Sequence, residues 1–231
     1  MRNFKSILTV FLLAAYTATA NTLSIPGEPV GQFGSDIYTF TNKTLDVEGT
    51  GNSVTIPEKH YFKTAQCNDA TPTLLMDSPT ANAGAATCIT GTNTQKGVAA
   101  FDQTTSESLQ TSMLLPADWS GAIDVRYEWM TAGTTSPVVW CTQVVCVANT
   151  ETGDPAFPAQ AAANCVSDAS HGTTLQLNVA SDTGITATTC AAGELMHLRF
   201  SRDPAEVSTL TDTLAGDAWL IGVELTLRRA M

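Results

Sequence analysis

Enzymatic chemistry needs side chains that converge: a nucleophile with its base, a pair of carboxylates, or a set of metal ligands. The 231-residue chain has three histidines, His60, His171 and His197, far apart in sequence. None lies in an HExxH pattern, and no serine sits in a GxSxG elbow. His197 falls within ELMHLRF, where Leu195 and Arg199 share its parity and mark an outer strand face. That is the place of a solvated or structurally bonded histidine. Any two of the 22 acidic residues can meet as a glycosidase pair, but a small sandwich without extended insertions has little room for a deep cleft. The chain reads as non-enzymatic, with no catalytic residues.

Binding offers more candidates. Asp154, Asp203, Asp212 and Asp217 stand near loops and can supply oxygen ligands for calcium. No EF-hand spacing or Asp repeat accompanies them, so solvated turn acids are the ordinary reading and calcium remains a candidate cofactor only. Aromatic rings are the other route, since exposed ones stack on sugars. Trp129 and Trp219 are in phase with apolar strand faces and Trp140 lies in an apolar run, which places all three in the core. Trp119 differs, because it sits in the turn PADWSG, exposed or packed over the end of the sandwich. The candidate ligand-binding residues are therefore Trp119, Asp154, Asp203 and Asp212.

Six cysteines in an exported chain point to disulfides. They allow fifteen pairings. In WCTQVVCV, Cys141 and Cys146 are five apart, so on one strand they face opposite ways and do not bond to each other. Each then reaches Cys165 or Cys190, while Cys67 and Cys88 close their own loop. The preferred set is Cys67 with Cys88, Cys141 with Cys165, and Cys146 with Cys190. A metal site is not expected, for there is no CxxC and no cysteine close to a histidine.

The elements that position these residues are strands. In DAWLIGVELTLR (217–228), Trp219, Ile221, Val223, Leu225 and Leu227 take every second position, the mark of a strand with one buried face. GAIDVRYEWM (121–130) repeats the pattern with Ile123, Val125, Tyr127 and Trp129, against Asp124, Arg126 and Glu128 on the other face. Residues 138–148 are nearly continuously apolar, as in a central strand. Further strands are predicted at 97–101, 108–115, 174–179 with Leu175, Leu177 and Val179 inward, 184–190 and 194–200. About eight strands in this span predict an all-β antiparallel sandwich of jelly-roll type. Two connections, 149–164 and 201–216, exceed hairpin length and are candidate binding loops.

Upstream, residues 52–95 form a small disulfide-closed transitional segment before the sandwich domain at 96–231. Residues 21–51, rich in Gly and Pro, read as an extended arm, with the glycosylation pattern Asn42-Lys43-Thr44 inside it. Residues 1–20 carry Arg2 and Lys5, the apolar run 7–15 and Ala18-Thr19-Ala20, the order of a secretory signal peptide. Its removal leaves nine Lys and Arg against 22 Asp and Glu, a net charge of about −13. So acidic a chain does not seek nucleic acid, which needs clustered Lys and Arg.

The segments GTNTQKGVAAFD, LPADWSGAIDVRYEW, SPVVWCTQ, CAAGELMHLRFSRDP and DTLAGDAWLIGVELTLRR together resemble a β-sandwich module of tail-fibre-like and other virion structural proteins of bacteriophages and prophages. The resemblance covers about residues 91–229, and TFTNKTLDVEGTG is similar to the TNKTL-type linkers that precede fibre modules. It implies a structural or adhesive module, often a homo-oligomer, with surface glycans or other virion or surface proteins as partners and no catalytic residues. Phage fibres assemble in the cytoplasm, so the signal and cysteines depart from that pattern; an exported bacterial surface protein using the same module reconciles them. A structural module predicts oligomers and a buried Trp119. The alternative, a secreted carbohydrate-binding module, predicts a monomer, an exposed aromatic platform including Trp119 and a bound calcium. The exported protein is expected to begin at Asn21 when its N-terminus is sequenced; an intact Met1 would remove the argument for export.

Overall fold

The structure, a computed structural model, describes residues 22–23, 31–32, 55–79, 82–133 and 135–230. The signal segment, the Asn42 pattern and all but four residues of the arm lie outside them. In the arm, β1 (Thr22–Leu23) pairs antiparallel with β2 (Gly31–Gln32). The remaining strands are β3 (Thr55–Lys63), β4 (Ala65–Asn68), β5 (Thr71–Leu74), β6 (Ala85–Thr90), β7 (Gln95–Phe101), β8 (Ser108–Leu114), β9 (Trp119–Met130), β10 (Pro137–Val147), β11 (Asn164–Ala169), β12 (Asn178–Thr186), β13 (Leu195–Arg202) and β14 (Ala218–Ala230). One 3₁₀ turn, Gln160–Ala162, interrupts them. The compact unit Pro57–Arg229 is the sandwich.

Its sheets have the orders β12-β9-β14-β7-β6, with β3 also on β14, and β11-β10-β13-β8. Strands β7 to β14 thus divide four and four, with most successive strands crossing between sheets, which is the double-sheet winding of a jelly roll. The inner faces hold Phe101, Tyr127, Trp129, Trp140 and Phe200, all 0% exposed. Tyr127 stacks on Trp140 at 5.6 Å between ring centroids, and Phe101 meets Trp140 edge-on at 5.3 Å. Each such side chain, fully buried, stabilises the fold by roughly 1.5–3 kcal/mol. The Tyr127 hydroxyl finds Thr142 on the facing sheet, so the large ring is buried without an orphaned polar atom.

The number eight for the sandwich survives because two departures cancel. Strand β11 was not expected, and the two strands predicted at 174–179 and 184–190 are largely one. β12 begins at Asn178 and runs through a bulge between Asp182 and Ile185, while 187–190 form a turn closed by Cys190 N–H on the Ala187 carbonyl. The phase expected for 174–179 is reversed: Asn178 and Ala180 point inward, and Leu177 and Val179 are 48% and 37% exposed. Asn178 can be inward because its side-chain oxygen accepts the His171 N–H at 2.8 Å and its amide donates to the Gln176 carbonyl at 3.1 Å.

The final strand also breaks its own alternation. A bulge between Leu220 and Gly222 puts Ala218 and Leu220 inward before it and Val223, Leu225 and Leu227 inward after it, as an inserted residue must. Trp219 and Ile221 consequently face outward, and Trp219 is not a core residue of the sandwich. Fully buried Thr64 closes the irregularity: its hydroxyl donates to the Leu220 carbonyl at 2.6 Å, its N–H to that of Ile221 at 3.0 Å, and its oxygen accepts from Ala99 N–H at 3.2 Å.

Residues of the transitional segment supply β3 and β6 to the larger sheet. The hairpin β4–β5 packs against β7 on the face that also carries Ala99 and Phe101, so close that an added Cβ on Gly97 would collide with the Gln66 backbone. The disulfides are Cys67–Cys88, Cys141–Cys165 and Cys146–Cys190. Cys146 joins the core and Cys141 does not, so the two cysteines of β10 do face opposite ways.

One buried ion pair binds the end of the sandwich. Arg202, 0% exposed, donates from Nε and a terminal nitrogen to the two Asp212 oxygens at 2.9 and 2.8 Å. Its other N–H groups reach the carbonyls of Phe101 (3.1 Å), Gly216 (2.8 Å) and Leu214 (2.6 Å). Asp212 also accepts the backbone N–H of Val139 at 3.1 Å and of Leu214 at 3.2 Å. Truncating one partner strands a buried charge. Asp212→Ala is expected to lower unfolding free energy by about 3–5 kcal/mol in a denaturant titration under oxidising conditions; a loss below about 1 kcal/mol, the range of an exposed pair, would show that Arg202 does not depend on it.

Candidate functional site

The sequence-predicted site residues do not converge. Trp119 is 9% exposed and belongs to the core cluster; its cross-strand partner Arg229 bonds the neighbouring Asp118 at 2.8 Å. Its ring is not offered to solvent. Asp212 is engaged by Arg202, with both side chains at most 1% exposed. Asp203, also 0% exposed, accepts the Ser208 N–H at 2.7 Å and shapes the turn after β13. Asp154 and Asp217 are exposed on separate connections. Among the described residues no three His, Cys, Asp or Glu side chains gather as metal ligands.

The histidines stand equally apart. His60 lies 3.1 Å from the Glu58 carboxylate in β3. His197 is on the outer face of β13, as its parity indicated, with Nδ1 at 2.7 Å from the Ser112 hydroxyl of β8. His171 sits in the turn before β12. No nucleophile, base and orienting acid share one place among the described residues.

Burial raises two inward-pointing carboxyls above their ordinary range: Asp168 of β11, which accepts the Trp129 indole N–H at 2.8 Å, and Asp182 of β12. Both stand on outermost strands of their sheets. Inward charges at such positions discourage edge-to-edge pairing with another chain, so their desolvation has a structural use.

The outer face of the smaller sheet is occupied by the chain itself. The connection 148–163 folds over it: Phe157 lies on the Arg199 guanidinium, 4.1 Å from its ring centroid. Gln143 donates to the Pro158 carbonyl, and Gln160 bonds Ser201 at 3.1 Å. A cation on an aromatic face is worth roughly 0.5–1 kcal/mol at an exposed site. The disulfide Cys141–Cys165 lies on the same side. One of the two candidate binding loops is thus a cover.

The larger sheet presents a different surface, which sequence reasoning did not find. Tyr61 of β3 is 50% exposed. Its side chain reaches across β14 at Gly222, where an added Cβ would collide with the phenol, and its hydroxyl donates to Glu128 of β9 at 3.1 Å. Glu128 also holds Arg126 at 2.6 Å, and in the adjoining strands Lys59 meets Glu224 at 2.7 Å. Asp124 accepts from Arg228 at 3.4 Å and from the Gly184 N–H at 2.7 Å. Burial of the phenol end, with the Glu128 charge beside it, pushes the Tyr61 hydroxyl up to about 12. It therefore stays protonated near neutrality and remains a donor. The one available signal was the isolated Gly222 inside WLIGVEL, since a lone glycine in a strand marks a bulge or a close approach; here it marks both.

No family model matches the chain, and no curated protein does. Among solved structures, a family 35 carbohydrate-binding module from an environmental isolate is 12% identical with a TM-score of 0.35, over 74% of this chain and 92% of its own. TmCBM61 in complex with β-1,4-galactotriose is 16% identical with a TM-score of 0.31, over 61% of this chain and 81% of its own. The structure of infectious bursal disease virus, Gx strain, is 12% identical with a TM-score of 0.34, over 90% of this chain and 37% of its own. Likenesses this remote carry no argument about function.

Proposed function

We propose that the chain is an exported, non-enzymatic β-sandwich that serves as a structural and adhesive module of phage-virion type, displayed on a particle or cell surface and assembled as a homo-oligomer. The observation that supports this most is the burial of Trp119 at 9% exposure, because the competing sugar-binding reading needed that ring as its platform. The separate placement of the three histidines fits a protein without catalysis. Three disulfides fit an oxidising location outside the cytosol. Jelly rolls serve in viral capsids and in lectins alike, so the fold is compatible with display and with adhesion and selects neither by itself.

The second reading, a secreted carbohydrate-binding module, draws on one specific feature, the exposed Tyr61 side chain held over Gly222. Subunit number separates the two. Light scattering of the exported protein is expected to give a trimer or larger assembly; a monomer at all concentrations would reject the assembled module and leave the sugar-binding reading in its place.

A further inference from the structure

Tyr61 is the sole aromatic among the strongly exposed large apolar side chains of the described residues. An exposed ring on a mobile side chain loses rotamer freedom when it binds, and that cost weakens association. Tyr61 has already lost it. The side chain lies along the sheet across β14, admitted by the missing Cβ of Gly222, and its hydroxyl is tied to Glu128. The ring is therefore preorganised on an open β surface.

The groups around the ring define what can sit on it. Glu128 and Glu224 offer carboxylate oxygens, while Arg126 and Lys59 offer N–H donors, each paired with a neighbour of opposite sign. Paired charges retain unused lone pairs and N–H groups but little net field. Vicinal hydroxyls, which donate and accept at once, match such a surface. A protein partner does not, because interface cores are depleted of charge. A polyanionic ligand is disfavoured by the net charge of −11. The surface is a sheet face and not an enclosed cavity, which suits an extended chain over a small molecule.

We propose that the outer face of the larger sheet over β3, β14 and β9 binds a neutral polysaccharide strand, one sugar ring of which stacks on Tyr61 while its hydroxyls bond Glu128, Arg126 and Glu224. This rests on the adhesive reading and supplies its ligand class. The site is distinct from Trp119 and from the acidic loop residues singled out by sequence.

The test is affinity electrophoresis of the full exported chain in gels containing neutral glucan, mannan, galactan or xylan, followed by calorimetry with oligosaccharides of whichever retards it. At least one is expected to bind, with an affinity unchanged by added salt. Tyr61→Ala should weaken it about tenfold or more, Tyr61→Phe should weaken it less because the ring stays while its tie to Glu128 is lost, and Gly222→Ala should weaken it by displacing the ring. Thermal melting of each variant identifies those that remain folded, and Tyr61→Phe against Tyr61→Ala suffices if Gly222→Ala does not fold. Retardation by none of the four, or equal binding by native protein and Tyr61→Ala, overturns the proposal. So does an oligomer that Tyr61→Ala dissociates without any glycan binding, because the face then covers a second copy. These outcomes are separable from the display reading: an exported oligomer that binds no glycan loses only this ligand, and a monomer that binds one loses only the assembly.

Discussion

A guanidinium carries five N–H donors and cannot shed its charge, so a buried arginine must find acceptors for all of them. Arg202 does so at one end of the sandwich, and the winding of the chain there depends on it. Its acceptors come from the end of β7 at Phe101, from the connection at Asp212, Leu214 and Gly216, and through Asp212 the network reaches β10 at Val139. Strands of both sheets and the crossing between β13 and β14 are thereby joined through one side chain. An apolar pair of similar volume often replaces a buried ion pair at no loss. Here three backbone carbonyls also accept from the guanidinium, and an apolar substitute would leave them without donors.

Tyr127, Trp129 and Trp140 fill the space between sheets, and two of them take a polar partner within reach: Tyr127 with Thr142, Trp129 with Asp168. Burial pushes the Tyr127 hydroxyl far up, so it is a neutral donor or acceptor and never a charge. The disulfides act at separate levels. Cys146–Cys190 is packed with the core, Cys141–Cys165 links β10 to its outer neighbour β11, and Cys67–Cys88 fastens the hairpin that lies over β7. By the chain-entropy account a bridge closing about twenty residues is worth roughly 3 kcal/mol and one closing about forty-four roughly 4 kcal/mol, enough to matter for a fold whose net stability is of order 10 kcal/mol.

Much of this was legible in the residues. Strict alternation fixed β9 and most of β14, parity separated Cys141 from Cys146, and the apolar run placed β10 at the centre of its sheet. Illegible features were those decided by a side chain's distant partner. Asn178 points inward because His171 and Gln176 satisfy it, which sent Leu177 and Val179 outward against their hydrophobicity. The bulge at Ile221 is supported by Thr64, 157 residues away in sequence, and the lone Gly222 is its one local signal. β11 carries little hydrophobic signal in NCVSDA because it is an outermost strand, with Cys165 bonded outward and Asp168 spent on an indole. The acids singled out near loops proved to include Asp203 and Asp212, whose buried bonds shape the loop; an acid in a loop sequence looks the same whether it meets solvent or an arginine.

A sandwich has two outer faces, and what covers each determines where another molecule can approach. On the smaller sheet the 148–163 connection lies across β10 and β13, pinned by Phe157 on Arg199 and by Gln143 and Gln160. On the larger sheet the outward Val98 and Ala100 of β7 are buried outside the main core, whereas Tyr61 of β3 is half exposed. Thr64, which caps the β14 bulge, marks the point where β14 changes neighbour: β7 pairs with it at 218–220, and β3 lies beside it from Gly222 onward. That exchange of neighbours is what brings Tyr61 beside Gly222. The irregularity that reverses the phase of Trp219 is therefore the place where β14 changes partner, and the half-exposed ring of Tyr61 stands beside it.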